Sequence, residues 1–241
     1  MAAALLWIGG TGGSGTRAVA AALTAAGMFP GASLNESLDS LPMAGVYDRM
    51  LADHLAGRGI APAVWRAALA GALAEHCRGT PPGAPVLVKN PRSVLAMELL
   101  LAAEPGSRFL HVVRNGLDMA FSSNQRQLTL YGGLLLGPAG PDATAAARAL
   151  RLWCVVNRRA MELASRYPGR CALLRYEDLC ARPRQEAARI GAALGLALDF
   201  AGIDPGGQRP ARRALPEGWR QQLGDALTEA APVLAGFGYP C

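Results

Sequence analysis

Four short apolar runs stand out along the chain, and each is bounded by glycine, proline or polar residues. They cover residues 5–8, 86–88, 109–113 and 171–174. Short continuous apolar runs of this kind are typical of strands that are buried on both faces of a parallel sheet. The pattern therefore predicts four buried β-strands, and the first of them runs directly into a glycine-rich segment.

Longer segments of helix-forming composition lie between these runs. The predicted helices cover residues 18–26, 46–56, 61–77, 93–103, a stretch from about 117, 142–166, 184–194 and 217–235, with Ser93 as a candidate N-cap. We predict an irregular loop over residues 28–45. Residues 128–141 are apolar but contain several glycines and two prolines, so we predict a loop or lid there. Strands that alternate with helices predict an α/β fold with a central parallel sheet flanked by helices.

Length and composition favour one ordered domain. The 241 residues contain no evident repeat or linker, so we expect a single domain over residues 1–241. Apolar residues make up 51% of the chain and charged residues 17%, which excludes an intrinsically disordered protein. The apolar opening lacks the basic segment of a signal peptide. No apolar run reaches the ~18 residues that a membrane helix needs, so we expect no membrane partner.

The charged residues favour an anionic ligand but not nucleic acid. The net charge is +6, yet the arginines are scattered and aromatic residues form only 6% of the chain. Surfaces that bind nucleic acid usually combine clustered basic side chains with stacking aromatics, so we expect no such partner. Of the 24 basic residues only Lys89 is a lysine. An ammonium is a compact cation, whereas a guanidinium is planar, so a single lysine among arginines can mark a position that needs an ammonium. The alternative is a surface lysine that has remained by chance.

The cysteines and histidines do not suggest a metal site. There are five cysteines, with no pair spaced as Cys-x-x-Cys and no histidine nearby at metal-ligand spacing. We therefore expect free thiols, no bound metal and a cytoplasmic location. Of the histidines, His111 lies within a predicted strand, whereas His54 and His76 lie on predicted helices and are expected to be solvated.

The strongest local signal is the segment 9–16, with the sequence Gly-Gly-Thr-Gly-Gly-Ser-Gly-Thr, between the first strand and the first helix. Glycines allow positive φ angles and remove the Cβ atoms that would block close approach of a ligand. The freed amides and the helix N-terminus behind them would point at an anion. This P-loop-like strand–loop–helix predicts a phosphate-binding site, the alternative being a tight turn without a ligand.

Two familiar nucleotide-binding patterns fit this loop poorly. Gly10, Gly12 and Gly15 have the spacing of a dinucleotide-binding fingerprint, but the acidic residues that follow do not end a predicted strand. The glycines also have the Walker A spacing. There Thr16 takes the place of the phosphate-binding lysine and Arg17 the place of the hydroxyl residue that binds Mg²⁺.

A third pattern fits better and recurs downstream. Thr11 to Thr16 follow the pattern Thr-x-x-Ser-Gly-Thr, and residues 112–122 place Arg114 at a strand end with Ser122 eight residues later. Residues 174–179 read Leu-Arg-Tyr-Glu-Asp-Leu and precede Arg-Pro and a further helix. In this order the three segments resemble the 5′-phosphosulfate loop, the 3′-phosphate motif and the Tyr-Glu-Asp-Leu segment of sulfotransferases that use 3′-phosphoadenosine-5′-phosphosulfate (PAPS). The chain is similar to bacterial members, with some similarity to the tyrosylprotein sulfotransferase branch.

The resemblance implies which residues bind the cofactor. The 3′-phosphate would be bound by Arg114 and Ser122, and the ring of Tyr176 would lie near the adenine. A late basic segment containing Arg209 would close over the 3′-phosphate. The remaining implied binding residues are Gly12, Gly13, Ser14, Gly15, Thr16, Arg17, Arg212 and Arg213. Simpler alternatives are an ion pair of Arg114 with Asp118, four residues later, and core packing for Tyr176.

Sulfuryl transfer needs a cation near the oxygens that gain charge and a base near the acceptor hydroxyl. The lysine or arginine that many sulfotransferases place before Ser-Gly-Thr is Gly13 here. Lys89 resembles the strand-end lysine of the tyrosylprotein branch and is the expected transition-state cation, with Arg17 as second choice. The resemblance places the base among residues 35–39, where Glu36 and Asp39 both remain candidates. Asp39 precedes Ser40 and is also a possible helix cap.

These observations together favour a metal-independent sulfotransferase that moves a sulfuryl group in line from PAPS to the hydroxyl of a small or medium-sized acceptor. The by-product would be adenosine 3′,5′-bisphosphate (PAP). The alternatives are a kinase on a degenerate P-loop and a nucleotide-binding module without activity. If the stretch 128–141 faces the acceptor, a hydrophobic or aromatic alcohol is expected. The sequence leaves the oligomeric state open.

Overall fold

The computed structural model describes residues 4–140, 143–203 and 214–240. Its strands are β1 Leu5–Gly10, β2 Val86–Lys89, β3 Arg108–Val113 and β4 Cys171–Arg175. Within the described ranges these form one parallel sheet in the order β2-β1-β3-β4. All four predicted strands are confirmed, and each observed strand is one or two residues longer than its apolar run.

Helices cover both faces of this sheet, which confirms the predicted α/β class. They are α1 Thr16–Ala25, α2 Leu41–Leu55, α3 Pro62–His76, α4 Met97–Ala103, α5 Gly116–Ala120, α6 Arg126–Leu136, α7 Ala145–Arg166, α8 Tyr176–Ala181, α9 Pro183–Leu194, α10 Trp219–Leu223 and α11 Asp225–Gly236. None of the helices in the described ranges is long and apolar enough to cross a bilayer. The extension of a single domain over all of residues 1–241 stays a prediction.

The core is divided by the sheet, because successive side chains of a strand point to opposite faces. Trp7 and Phe109 face the side covered by α2, α3 and α7. Ile8 and Leu110 face the other side, which α1 and α9 cover. A third cluster, centred on Trp153 of α7, packs α5 and α11 beyond the end of β3. Burial on both faces explains why the strands read as continuous apolar runs.

Strand register brings the predicted site segments to one edge. Ile8 pairs with Lys89 on one side and with Leu110 on the other. Val113, the residue before Arg114, pairs with Arg175 of the neighbouring strand. Because all four strands are parallel, their carboxyl ends share one edge, which is where α/β sheets usually bind ligands.

The prediction of a loop or lid over residues 128–141 is wrong for residues 128–136, because the helix α6 spans Arg126–Leu136. Tyr131 is buried, and Leu128 and Leu135 pack against the core that α2 and α7 cover. This tertiary packing of one apolar face outweighs the low helix propensity of two adjacent glycines, about 1 kcal/mol each. The helix ends at Gly137, whose φ of 74° only glycine adopts readily.

Two other boundaries differ from the prediction. The helix α2 begins at Leu41, within the stretch predicted to be irregular, because Ser40 caps it by accepting the N–H of Met43. Ser40, and not Asp39, is therefore the cap. Residues 91–96 form a 3₁₀ turn before α4, and Asn90 caps it by accepting the N–H of Arg92. Ser93 lies inside that turn, so its predicted role as N-cap is wrong.

Two of the three histidines are fully buried. His76, expected to be solvated, instead bonds through Nε2 to the carbonyl oxygen of Leu87 at 3.0 Å. It packs directly on Gly31, where a Cβ atom would come within 2.0 Å of the imidazole ring. His111 lies within β3 as predicted, and its Nε2 is 2.7 Å from Oδ1 of Asn157. Both rings are therefore part of the buried core, and the prediction that His76 is solvated is wrong.

Candidate active site

A cleft of about 370 Å³ opens at the carboxyl edge of the sheet. It collects residues from the glycine loop, the strand ends and the segments that follow them. Its lining residues are Gly13, Gly15, Thr16, Arg17, Ala18, Ser37, Asp39, Lys89, Pro91, Arg114, Ser122, Ser123, Asn124 and Tyr176. Nine of the predicted site residues thus face one cavity, although they come from five separate stretches of the chain.

The glycine loop presents bare backbone to this cleft. Gly13 and Gly15 have φ angles of 91° and 100°, in the region that glycine adopts without strain. A Cβ on Gly15 would lie 2.1 Å from Cδ2 of Tyr176, and one on Gly13 would lie 3.2 Å from Oγ of Ser122. The helix α1 begins after Gly15 without a side-chain cap, so its first N–H groups are available to an anionic ligand.

Ser14 and Gly12 belong to the loop but do not line the cleft. The N–H of Ser14 donates to the carbonyl of Thr11 at 3.1 Å, which closes the turn. Its hydroxyl is fully buried beside Gly10, where an added Cβ would lie 2.6 Å from Oγ. Gly12 is covered by the side chain of Asn124, since a Cβ there would lie 3.0 Å from the amide oxygen.

Arg114 extends from the end of β3 into the cleft and is only 6% exposed. Its Nη2 lies 3.2 Å from Oδ2 of Asp118, so the ion pair considered as the alternative does form, but it is buried. The guanidinium also lies over the ring of Tyr176, 5.3 Å from the centroid. The ion pair and the aromatic contact fix the guanidinium in the cleft, and ion pairing and ligand binding are compatible roles for Arg114.

Lys89 lies at the carboxyl end of the outer strand β2 and is 2% exposed. Its Nζ donates to the carbonyl oxygen of Ser37 at 2.8 Å and to Oδ1 of Asp39 at 2.5 Å. Burial lowers the pKa of this ammonium from its ordinary value, the carboxylate of Asp39 opposes that shift, and the positive charge of Arg17 adds to it. The only lysine of the chain is therefore not a surface residue.

The two candidate bases occupy different positions. Asp39 lines the cleft beside Lys89, and within the described ranges it is the only acidic residue that does. Glu36 is exposed and does not line it. The intervening turn is held by Asn35, whose side-chain oxygen accepts the N–H groups of Ser37 and Asp39, each at 2.9 Å. This turn selects Asp39 over Glu36 as the carboxylate that faces the ammonium.

Several lining residues were missed by the sequence analysis. Asn124 reaches the glycine loop because the start of α6 folds back over it, and Gln127 secures the contact by donating to the carbonyl oxygen of Gly10 at 3.0 Å. The sequence pattern predicts a helix from about residue 117 and not that α5 ends at Ala120, so the short segment that carries Asn124 to the glycine loop between α5 and α6 was missed. Ser37 contributes its carbonyl oxygen, for which a sequence carries no residue-type signal.

Two further points of the sequence analysis concern the late basic segment and a metal site. Arg209, Arg212 and Arg213 lie outside the described residues. Among the residues that are described, no group of three or more His, Cys, Asp or Glu side chains is placed to hold a metal ion.

Comparison with known proteins decides the family. The profile of the sulfotransferase family matches residues 6–200. The chain belongs to the sulfotransferase family. This match spans the glycine loop, Lys89, Arg114 and the Tyr-Glu-Asp-Leu segment. It favours sulfuryl transfer over the kinase alternative. Comparison with curated proteins finds no significant match.

Solved structures share the fold of this sulfotransferase at low sequence identity. The sulfotransferase domain from the curacin biosynthetic pathway is 16% identical with a TM-score of 0.57, covering 100% of this chain and 99% of its own. A sulfotransferase from Alicyclobacillus acidocaldarius is 14% identical with a TM-score of 0.55, at 100% and 98% coverage. One from Mycobacterium avium is 11% identical with a TM-score of 0.55, at 96% and 75% coverage. These likenesses establish the fold alone.

Proposed function

We propose that this sulfotransferase transfers the sulfuryl group of PAPS to the hydroxyl of a small or medium-sized acceptor and releases PAP. One observation carries the proposal: the bare glycine loop and the pair Arg114–Ser122 face the same cleft as Lys89 and Asp39. PAPS carries anionic groups on the 5′ and 3′ sides of its adenosine, and the cleft provides donors for both. A cytoplasmic location belongs to the same proposal.

The 5′ side would be bound by backbone N–H groups. Gly13, Gly15 and Thr16 line the cleft at the start of α1, where the two glycines have no Cβ atom to obstruct a ligand, and Arg17 lines it immediately after them. Ser14 would contribute to the shape of the turn, because its hydroxyl is buried beside Gly10. The loop has Gly13 where many sulfotransferases have a lysine or arginine, and the buried ammonium of Lys89 would supply that catalytic cation.

The 3′-phosphate would be bound by Arg114 and Ser122. A guanidinium held by a buried carboxylate has its orientation set before the ligand arrives, which reduces the entropy lost on binding. The Oγ of Ser122 accepts the N–H of Asn124 at 3.2 Å, so its own hydrogen is available to donate. Tyr176 would contact the adenine beside Gly15, and the closing role of Arg212 and Arg213 stays a prediction.

Lys89 and Asp39 would carry the chemistry. An ammonium has three N–H groups, of which two have acceptors in the protein, so one remains for an oxygen of the sulfuryl donor. In the transfer the bond from sulfur to the bridging phosphate oxygen breaks and a bond from sulfur to the acceptor oxygen forms. Lys89 would stabilise the charge that grows on the bridging oxygen. Asp39 would take the proton of the acceptor hydroxyl.

Calorimetric binding of PAP, compared with ATP and NAD, tests the proposal. We expect PAP to bind most tightly, and Arg114→Ala and Ser122→Ala to weaken PAP binding by about tenfold or more because each removes a donor to the phosphate. Unchanged binding in both variants would contradict the site assignment. Turnover of PAPS with a panel of alcohols and no added metal separates the alternatives. Magnesium-dependent use of ATP would favour a kinase, and PAP binding without turnover would favour an inactive module.

A further inference from the structure

The backbone at residues 114–116 is held by residues outside the segment itself. The indole N–H of Trp153 donates to the carbonyl oxygen of Arg114 at 3.0 Å. The N–H of Asn115 donates to Oε1 of Glu177 at 2.9 Å. The Trp153 ring also covers Gly116, where a Cβ would lie 2.9 Å from the indole. Both polar groups of the peptide that joins Arg114 to Asn115 therefore have a partner on α7 or α8.

Glu177 is itself positioned by the segment that follows α11. The hydroxyl of Tyr239 donates to Oε2 of Glu177 at 2.7 Å, so the carboxylate bridges Tyr239 and Asn115. The Tyr239 ring lies under the guanidinium of Arg175, 4.4 Å from its centroid, and edge-on to Trp153 at 6.4 Å. Burial and the neighbouring Glu177 carboxylate raise the pKa of Tyr239, which keeps the hydroxyl protonated and able to donate.

We propose that Glu177 and Tyr239 are positioning residues for the 3′-phosphate site, acting through the peptide of Asn115 on the direction of Arg114. The inference rests on the proposed function. Asn115 caps α5 by accepting the N–H of Leu117, so its own N–H needs an acceptor from elsewhere, and Glu177 supplies it. A bond to a carboxylate is stronger than one to a neutral oxygen.

The orientation of the 114–115 peptide affects the 3′-phosphate site because Arg114 adjoins it and Ser122 follows it along the chain. Arg114 is joined directly to Asn115, and its guanidinium is tied to Asp118 on α5. A rotation of the peptide at 114–115 would therefore move both the guanidinium and the start of α5, which leads to Ser122. Neither Glu177 nor Tyr239 lines the cleft, so both would affect the phosphate only through Arg114 and Ser122.

The test compares the affinities of PAP and adenosine 5′-phosphate, which lacks the 3′-phosphate. We expect Tyr239→Phe, which keeps the ring and removes only the hydroxyl, to weaken PAP binding about three- to tenfold and to leave adenosine 5′-phosphate within about twofold. Glu177→Ala should weaken PAP further. In kinetics, the KM for PAPS should rise while kcat stays within about twofold, because ground state and transition state lose the same interaction.

Tyr47→Phe is the matched control. Tyr47 is also buried, and its hydroxyl is 2.8 Å from Oγ of Ser93, so the variant likewise loses one tyrosine hydroxyl bond, but away from Arg114. We expect Tyr47→Phe to lower thermal stability as Tyr239→Phe does, with PAP affinity unchanged. In an Arg114→Ala background, Tyr239→Phe should have no further effect on PAP binding.

Two results would overturn the inference while leaving the proposed function intact. One is that Tyr239→Phe keeps the parent's preference for PAP over adenosine 5′-phosphate. The other is that it weakens both ligands equally, as a general loss of structure would. A parent protein without any preference for PAP would overturn the proposed function and this inference together. If Tyr239→Phe does not fold, Glu177→Gln supplies the same comparison, since the amide has an oxygen at only one of the two carboxylate positions and therefore cannot accept from Asn115 and Tyr239 as the carboxylate does, while it keeps the side chain's shape.

Discussion

The buried imidazole of His111 leads to a quantitative prediction for the pH dependence of stability. The ring is fully buried in β3, and its Nε2 is hydrogen-bonded to Oδ1 of Asn157 at 2.7 Å. Burial lowers the pKa of His111 from its ordinary 6.5 to about 4, and the bond to Asn157 opposes that shift. The folded protein therefore keeps the ring neutral at pH values where the unfolded chain binds a proton.

The sign and size of the effect of His111 on the free energy of unfolding follow from proton linkage. As the pH falls below about 6.5 the unfolded chain takes up a proton that the folded protein does not, so the free energy of unfolding decreases until the pH reaches about 4. One pKa unit corresponds to about 1.4 kcal/mol, so the full loss is about 3 kcal/mol. Between about pH 7 and pH 5 the expected loss is about 2 kcal/mol. His76, whose pKa burial also lowers, acts in the same direction.

Urea unfolding of the parent and of His111→Gln at both pH values measures this contribution. The substitution also changes the bond to Asn157, which affects stability at every pH, so the relevant quantity is the change of the free energy of unfolding with pH. We expect the parent to lose about 2 kcal/mol more than the variant between the two pH values, since carboxylates and the other histidines are common to both. His54→Gln is the control, with a smaller effect because His54 is half-exposed. Equal losses in parent and His111→Gln would refute the reasoning.

Three further predictions concern the cleft. Lys89→Ala should lower kcat about 100-fold or more, with PAP affinity changed by less than about threefold. If kcat and PAP affinity fall by the same factor, Lys89 does not act on the transition state. In steady-state assays of sulfuryl transfer, Asp39→Asn should lower kcat about 100-fold, whereas Glu36→Gln, at an exposed position, should leave kcat unchanged. The reverse result would assign the base to Glu36. Gly15→Ala should abolish PAP binding measured by calorimetry, because its Cβ would meet Tyr176 at 2.1 Å. Gly27→Ala has a similar φ of 97° with no atom within 4 Å of the added Cβ, so it should lose stability but keep PAP affinity.

Sequence reasoning worked best where the signal is local. The four strands could be predicted because burial on both faces requires consecutive apolar residues. The glycine loop could be recognised because Gly13 and Gly15 need positive φ angles, and a residue type records that need directly. Lys89 was identified by composition, as the only lysine, and by its place at a strand end. Parallel strands then bring these local features to one edge, which the alternation of strands and helices already implied.

Other features could not be predicted because they depend on contacts between distant residues. The helix α6 forms across two glycines because Leu128 and Tyr131 find a buried surface, and propensity alone argued against it. Whether Glu36 or Asp39 faces the cleft depends on the turn held by Asn35.

The amino-acid sequence by itself determined the α/β class, the glycine loop and the motifs that resemble those of sulfotransferases, because each is encoded by residues adjacent in the chain. Only the tertiary structure decided the burial of Lys89, which of Glu36 and Asp39 lines the cleft, and the bridge from Tyr239 through Glu177 to Asn115. The physical reason is that desolvation and hydrogen bonding act through space. Residues 39 and 89 meet at 2.5 Å, and residues 177 and 239 at 2.7 Å, although dozens of residues separate each pair along the chain.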